Sequence, residues 1–331
     1  MKKIFSFIAL AFLSVAAFAQ TCVETDVNLT GTASITFTRY EHKNLTGVFT
    51  VSASGDKVIF SQGNLQYQAS TNTWRFAENQ YDRVGNYKAG NVYVGSTKCD
   101  NAQMSSTYEG WIDLFMWGAS GWNSDGAGTY VYQPWTISGT YLPQDLTGSF
   151  ADADWAWHNP IINGGITSAG PAANVWCVLE RSEWDYLIAR EQGGKLLYGY
   201  GSIHDGVSPV NGVFLLPDDW DWDSVDGESF ETNWTSATDD NTYEANELTD
   251  LALWEKLENA GMVFLPTTGY RQDGVSQVTA SNVTANGSYY ATTLSATGKP
   301  VCVRMASGAM LTTGTVGNQT GNAVRPVYRL N

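Results

Sequence analysis

The residues able to do chemistry form three groups, and none has the spacing of a familiar catalytic site. The first is an acidic run, Asp218-Asp219-Trp220-Asp221-Trp222-Asp223, followed by Asp226 and Glu228. Carboxylate oxygens on one flexible loop suit calcium, a hard cation that some sugar-binding proteins use as a bridge. The spacing departs from the pattern D-x-[DN]-x-[DN]-G, because tryptophan interrupts the alternation and no glycine stands at the sixth position. A solvated loop anchored by a buried Trp220 is therefore the stronger expectation, and calcium is the alternative.

The second group is aromatic: Trp135, Trp155, Trp157, Trp220, Trp222 and Trp234 sit in loop-like contexts. An exposed indole stacks on the face of a sugar ring, but a loop-rich domain also uses such rings to fill its core. Most of them are expected to be buried. The third group is Cys22, Cys99, Cys177 and Cys302 with His42, His158 and His204, all far apart in the chain. No CxxC pair, no His-x-x-x-His and no G-x-S-x-G is present. A glycosidase needs two carboxylates at a set separation across a cleft, and the 33 acids single out no pair. No catalytic residue, metal ligand or cofactor is assigned, and the chain reads as a binding protein rather than an enzyme.

These groups must be positioned by an exported chain. Lys2 and Lys3 precede the apolar run Ile4 to Phe18, and Ala17-Phe18-Ala19 supplies a small-x-small cleavage pattern, so residues 1–19 read as a signal peptide. The run is too short to span a bilayer. Without Lys2 and Lys3 there are 16 basic residues against 33 acidic, a net charge of −17. That balance argues against nucleic acid and anionic membrane as partners. The expected location is the cell surface, the extracellular space or the periplasm. There disulfides are the default for four cysteines, with three possible pairings. Cys177 and Cys302 each lie in a strand-like run, and theirs is the pairing expected first.

Residues 20–47 form a Thr-rich extension with an alternating stretch at Ser34 to Thr38, able to supply one or two strands. Strands are expected at Val48 to Val51, Val58 to Phe60, Met262 to Leu265, Tyr289-Tyr290, Val301 to Met305 and Val324 to Leu330. Two helices are expected. One is N-capped by Ser182 and presents Trp184, Leu187 and Ile188 on one face. The other runs from near Thr249 to Gly261, with Leu253, Leu257 and Ala260 in register and Gly261 as the C-cap. The class is α+β: two main helices, many short antiparallel strands and a high loop content.

Several strings in order resemble a known group. Val58-Ile59-Phe60-Ser61-Gln62-Gly63-Asn64-Leu65-Gln66-Tyr67 is similar to the opening motif of a Bacteroidetes surface family akin to the Fibrobacter major paralogous domain. Trp74-Arg75-Phe76-Ala77, Gly110 to Phe115 with Trp117-Gly118, and Ser182-Glu183-Trp184 continue the resemblance. So do Gly212 to Asp218 with Trp220, Val263-Phe264-Leu265-Pro266, and Ala323-Val324-Arg325-Pro326-Val327. The resemblance implies one C-type-lectin-like domain over residues 48–331, related to formylglycine-generating enzymes and to retroelement-diversified variable proteins. The enzymatic relatives hold copper on two neighbouring cysteines, whereas Cys302 has no other cysteine within ten residues. That activity is not expected here.

In the non-enzymatic relatives the last strands and loops carry ligand. The resemblance therefore places a ligand-binding surface on Tyr289, Tyr290, Thr292, Thr293, Met305, Ser307, Met310, Thr312, Thr313, Asn318, Thr320 and Asn322. Where relatives often read Tyr-Tyr-Trp-Ser-Ser, this chain has Tyr289-Tyr290-Ala291-Thr292-Thr293, so diversification of this copy is expected less than the fold. Threonine, serine and asparagine offer hydrogen bonds, and methionine offers contact that can repack. An ordinary exposed hairpin has the same composition. Arg304 and Arg325 are expected to serve the scaffold. The function expected is the binding of a protein or glycan at the cell surface, as an adhesin would. Two rivals are an exported glycan hydrolase, which a deep acidic pocket lined with Trp would favour, and a structural or pilus-associated subunit, which a long unpaired N-terminal strand would favour.

Overall fold

Strand β4 (Lys57–Phe60) lies between β3 (Phe49–Thr50) and β19 (Val327–Leu330), antiparallel to both, with Phe49 opposite Val58 and Val327 opposite Phe60. Val58 and Phe60 point into the core while Lys57 stays in water, the period of two expected of a half-buried strand. Residues far apart in sequence are thereby joined by backbone hydrogen bonds. The computed structural model describes residues 46–84, 101, 105–122, 133–136, 141–165, 171–206, 208–225, 234–271 and 286–330, and the backbone at 23–29, 33–39, 92–94 and 97–99. Within them the chain is α+β, built from small, mostly antiparallel sheets with few helices. The proposed signal peptide and His42 lie outside the described residues.

The largest sheet has the order β14-β12-β13-β15, formed by β12 (Tyr198–His204), β13 (Pro209–Leu215), β14 (Asn246–Leu248) and β15 (Val263–Pro266). Only the β12–β14 pair is parallel. Gly201 of β12 lies against the Asn246 backbone so closely that no side chain fits there. A second sheet joins β16 (Asn286–Leu294), β17 (Pro300–Ala306) and β18 (Ala309–Thr315) in sequence order. A third places β5 (Leu65–Gln68) between β6 (Thr73–Phe76) and β9 (Trp111–Ile112). Three two-stranded pairs complete the set: β1 (Val23–Leu29) with β2 (Ala33–Arg39), β7 (Val92–Val94) with β8 (Thr97–Cys99), and β10 (Glu191–Gln192) with β11 (Lys195–Leu196). Within the described backbone, β1 and β2 pair with each other.

Helices α1 (Trp155–His158), α2 (Arg181–Ile188) and α3 (Leu251–Asn259) are short. α2 starts earlier than its Ser182 suggests. Glu180 is the N-cap: its N–H donates to the Glu183 carboxylate at 2.7 Å, and the Arg181 N–H donates to the Thr293 hydroxyl at 3.1 Å. The orphan donors of the first turn are therefore satisfied before Ser182 is reached. α3 is capped by Asp250, which accepts from the Ala252 N–H at 2.9 Å, so the helix begins at Leu251 and not near Thr249. Its C-cap is Ala260. Gly261 follows at φ +106°, a conformation that glycine alone adopts cheaply, and packs directly against Gly47. At the C-terminus the expected strand shortens to Val327–Leu330, because Pro326 has no N–H to give and Arg325 turns inward.

Three apolar clusters fill the interior. The first gathers Phe49, Phe60, Trp184, Tyr198, Val213, Leu265, Tyr289, Val303 and Val327, so both ends of the segment 49–327 share one core. The second contains Tyr67, Trp74, Phe115, Trp117, Trp155, Tyr290 and Cys302. The third lies under α3, with Phe214, Trp220, Trp254 and Phe264. β16 runs between the first two: Tyr289 and Ala291 face one cluster while Tyr290 faces the other, stacked on Trp155 at 5.0 Å. The expected Cys177–Cys302 disulfide is not formed, and both are free thiols. Cys177 packs against the first cluster and Cys302 lies inside the second.

Candidate functional site

The twelve terminal residues divide by burial. Tyr289, Tyr290, Thr292, Met305 and Asn322 are each at most 2% exposed, which corrects the expectation that they present themselves to a ligand. The Tyr289 hydroxyl donates to the Pro266 carbonyl at 2.6 Å, and the Tyr290 hydroxyl donates to the Thr320 carbonyl at 2.6 Å. Both phenols are structural pins, and burial pushes the Tyr290 pKa well up. Alternation explains the loss: a strand with a cluster on either side has no solvent face. Thr293, Ser307, Met310, Thr312, Thr313, Asn318 and Thr320 remain exposed or half-exposed.

Among these, Thr313 is taken by α2, donating to Asp185 at 2.6 Å. The tip of the β17–β18 hairpin leans on a loop, with the Gly308 N–H donating to the Asn241 carbonyl at 3.0 Å. What is left is a small open face. Arg304 stands opposite Thr312 and lies over Gly314, with Met310 beside Thr312 on the same face. Arg304 is exposed. Arg325 does serve the scaffold: it is wholly buried and donates to Gln80 at 2.6 Å and to Asn64 at 3.5 Å.

A concave site forms elsewhere. Gln192, Lys195, Leu196, Leu197, Leu216, Trp220, Asp221, Trp222, Asp223 and Trp234 line a cleft of about 380 Å³. Two residues before Trp220 the chain is anchored by Asp218, which accepts from the Thr50 backbone at 2.9 Å and hydroxyl at 2.6 Å and pairs with Arg190. Burial works to raise the Asp218 pKa, but the Thr50 hydrogen bonds and the Arg190 guanidinium outweigh it and hold the carboxyl below its usual range. With Asp218 fixed, the chain turns at Trp220. Asp221 then caps the 3-10 turn Trp222–Ser224, accepting from the Asp223 N–H at 3.1 Å.

The rings are arranged as a chain. Trp220 meets Trp222 edge-on at 5.0 Å, and Trp222 meets Trp234 at 5.6 Å. Trp220 is buried at 7% exposure, and its indole N–H has no hydrogen-bond partner among the described residues. Leaving such a donor unpaired costs about 1–3 kcal/mol. Trp222 and Trp234 are half-buried, so each offers ring surface to the cleft. Burial of most of the six loop tryptophans was expected. Trp155 and Trp220 are buried, whereas Trp135, Trp157, Trp222 and Trp234 are only half-buried.

Other candidate chemistry is dispersed. His158 pairs with Asp152 and His204 with Glu247, on separate parts of the surface. Among the described residues no three His, Cys, Asp or Glu side chains gather as metal ligands. Buried carboxylates serve the backbone. Asp113 accepts from the Val84 N–H and the Asn101 amide at 2.8 Å each, and Asp154 accepts from the Ala156 and Val178 N–H groups at 2.9 and 2.8 Å. Burial pushes Asp113 up to about 7 and Asp154 up to about 6. Among the described residues no helix is long and apolar enough to cross a membrane. Comparison of the chain with protein-family models, with curated proteins and with solved structures finds no match.

The cleft was missed as a site because its wall comes from three segments: Gln192 to Leu197, Leu216 to Asp223, and Trp234. The signal present in sequence was the interleaving of Trp and Asp. Only the fold adds the third ring and the floor.

Proposed function

We propose that the protein binds a glycan in the tryptophan cleft, as an exported surface protein with a C-type-lectin-like fold. The observation that carries this reading is the meeting of Trp222 and Trp234 ring surface with the Asp221 and Asp223 carboxylates in one concavity of about 380 Å³. Apolar ring faces with a few convergent polar groups are the usual make-up of small-ligand sites. Rings stack on sugar C–H faces, and carboxylates accept from sugar hydroxyls. The lectin-like fold is supported by the α+β class and by the core shared between residues near both ends of segment 49–327. Export is supported by the sequence of residues 1–19.

The acidic Trp-lined cleft also supports the glycan-hydrolase reading. Hydrolysis needs a carboxyl group on each side of the scissile bond. Here Asp221 and Asp223 both come from a single turn, and Asp221 already caps that turn. Both therefore stand on the same wall, which favours binding over cleavage.

A glycan array probed with residues 20–331, followed by calorimetric titration of the hits, tests the proposal. Binding that falls at least tenfold in Trp222→Ala, with no sugar released on prolonged incubation, is the expected result. Binding that is unchanged in Trp222→Ala but lost in Met310→Ala/Thr312→Ala moves the site to the terminal hairpin. Release of shorter sugars by the wild type, abolished in Asp223→Asn, supports the hydrolase instead.

A further inference from the structure

Resting on the reading of the cleft as a glycan site, we infer that it selects uncharged or cationic sugars and rejects uronates and other acidic glycans. Among the described lining residues the charged groups are Asp221, Asp223 and Lys195. The only cation of the three is already engaged: the Lys195 ammonium forms an ion pair with Asp239, a residue outside the lining. The remaining polar liner, Gln192, is neutral.

A sugar carboxylate stacked on Trp222 or Trp234 would therefore come close to the Asp221 and Asp223 charges, while the one cation among the described lining residues, Lys195, is already paired with Asp239. Like charges a few ångström apart repel more strongly at a partly desolvated protein surface than in bulk water. A neutral sugar meets the same carboxylates as acceptors for its hydroxyl protons. An amino sugar adds a charge-assisted hydrogen bond. Specificity then comes from a repulsive element as much as from the stacking rings.

Three linear oligosaccharides of equal length separate these cases: cellohexaose, the glucosamine hexamer and the galacturonate hexamer. Each is titrated calorimetrically into the wild type and into Asp221→Asn/Asp223→Asn, at about 0.02 M and 0.5 M salt. Asparagine keeps the capping oxygen, so the turn is retained. Because the whole chain is acidic, Glu109→Gln/Glu255→Gln serves as a control with the same change in net charge at exposed positions away from the cleft. The expected result is galacturonate binding at least tenfold weaker than cellohexaose at low salt. The gap narrows in Asp221→Asn/Asp223→Asn and at high salt, and stays in the control. Galacturonate binding equal to cellohexaose, or a gap untouched by the cleft substitutions, overturns the selectivity while leaving the glycan site standing. Failure of all three sugars and of a full array to bind overturns the site itself and the selectivity with it.

Discussion

The tryptophan cleft and the terminal strands were both candidates for the ligand surface, and they differ in what their side chains have left to offer. Along β16 and β17 the large residues are committed to the core: Tyr289, Tyr290 and Met305 are buried, and both phenols donate to backbone carbonyls. In the cleft, Trp222 and Trp234 are only half-buried and the neighbouring carboxylates are exposed. The two regions have similar aromatic content but opposite use. A residue type marks a binding site only when the fold leaves its surface unspent, and a strand between two apolar clusters leaves none.

The largest effect that sharpens this contrast is expected from Tyr290→Ala. Removing a ring stacked on Trp155 and pinned to Thr320 is expected to cost about 3–5 kcal/mol of stability in chemical denaturation. A Tyr290→Ala variant of near wild-type stability would show that this strand is not a core element and would reopen the terminal site.

Next in size is a pH effect confined to the scaffold. Asp113 is held above its unfolded pKa, so the folded state keeps a proton that the unfolded state has lost. Asp113's contribution is then full below about pH 4 and is lost as pH rises towards about 7, by up to about 4 kcal/mol. Asp218 has the opposite sign: its pKa is depressed, so its contribution is present above the usual carboxylate range and is lost as pH falls through it. Denaturation midpoints followed from pH 3 to 8 are expected to fall at both ends. Asp113→Asn is expected to flatten the alkaline side, and a slope unchanged by that substitution would locate the titration elsewhere.

A smaller change separates binding from folding in the cleft. Trp222→Ala is expected to weaken sugar binding about tenfold, roughly 1.4 kcal/mol, and to leave the melting cooperative, because that ring is only half-buried. The smallest effect is expected on the open hairpin face. Met310→Ala and Thr312→Ala should each change stability by no more than about 0.5 kcal/mol and leave sugar affinity as it is. A large loss of affinity in either would reverse the ranking of the two regions.

Much of the architecture was legible because it rests on local signals. The period of Trp184 and Leu187, the glycine after α3 and the alternation of Val58 and Phe60 all appear where the pattern places them. Helix starts were less legible, since the caps of α2 and α3 are chosen by contacts such as Thr293 on Arg181. The terminal residues were misread for a different reason. Tyr289-Tyr290 reads equally as a buried pair or a displayed one, and only the clusters packed on either side decide. The cleft was half legible: Asp218 to Asp223 announced itself, but Lys195 and Trp234 reach it through folding alone.

The last strand, β19, completes the sheet that β3 and β4 begin, and Val327 is wedged into the same cluster as Phe49 and Phe60. A nascent chain that has not yet delivered residues 323–330 has β4 paired on one side only, with an open seam through its main core. Closure must span some 270 residues of separation, the kind of long-range pairing that slows folding. A chain lacking residues 323–330 is therefore expected to leave β4 with a single partner and the Phe49–Phe60 cluster short of Val327.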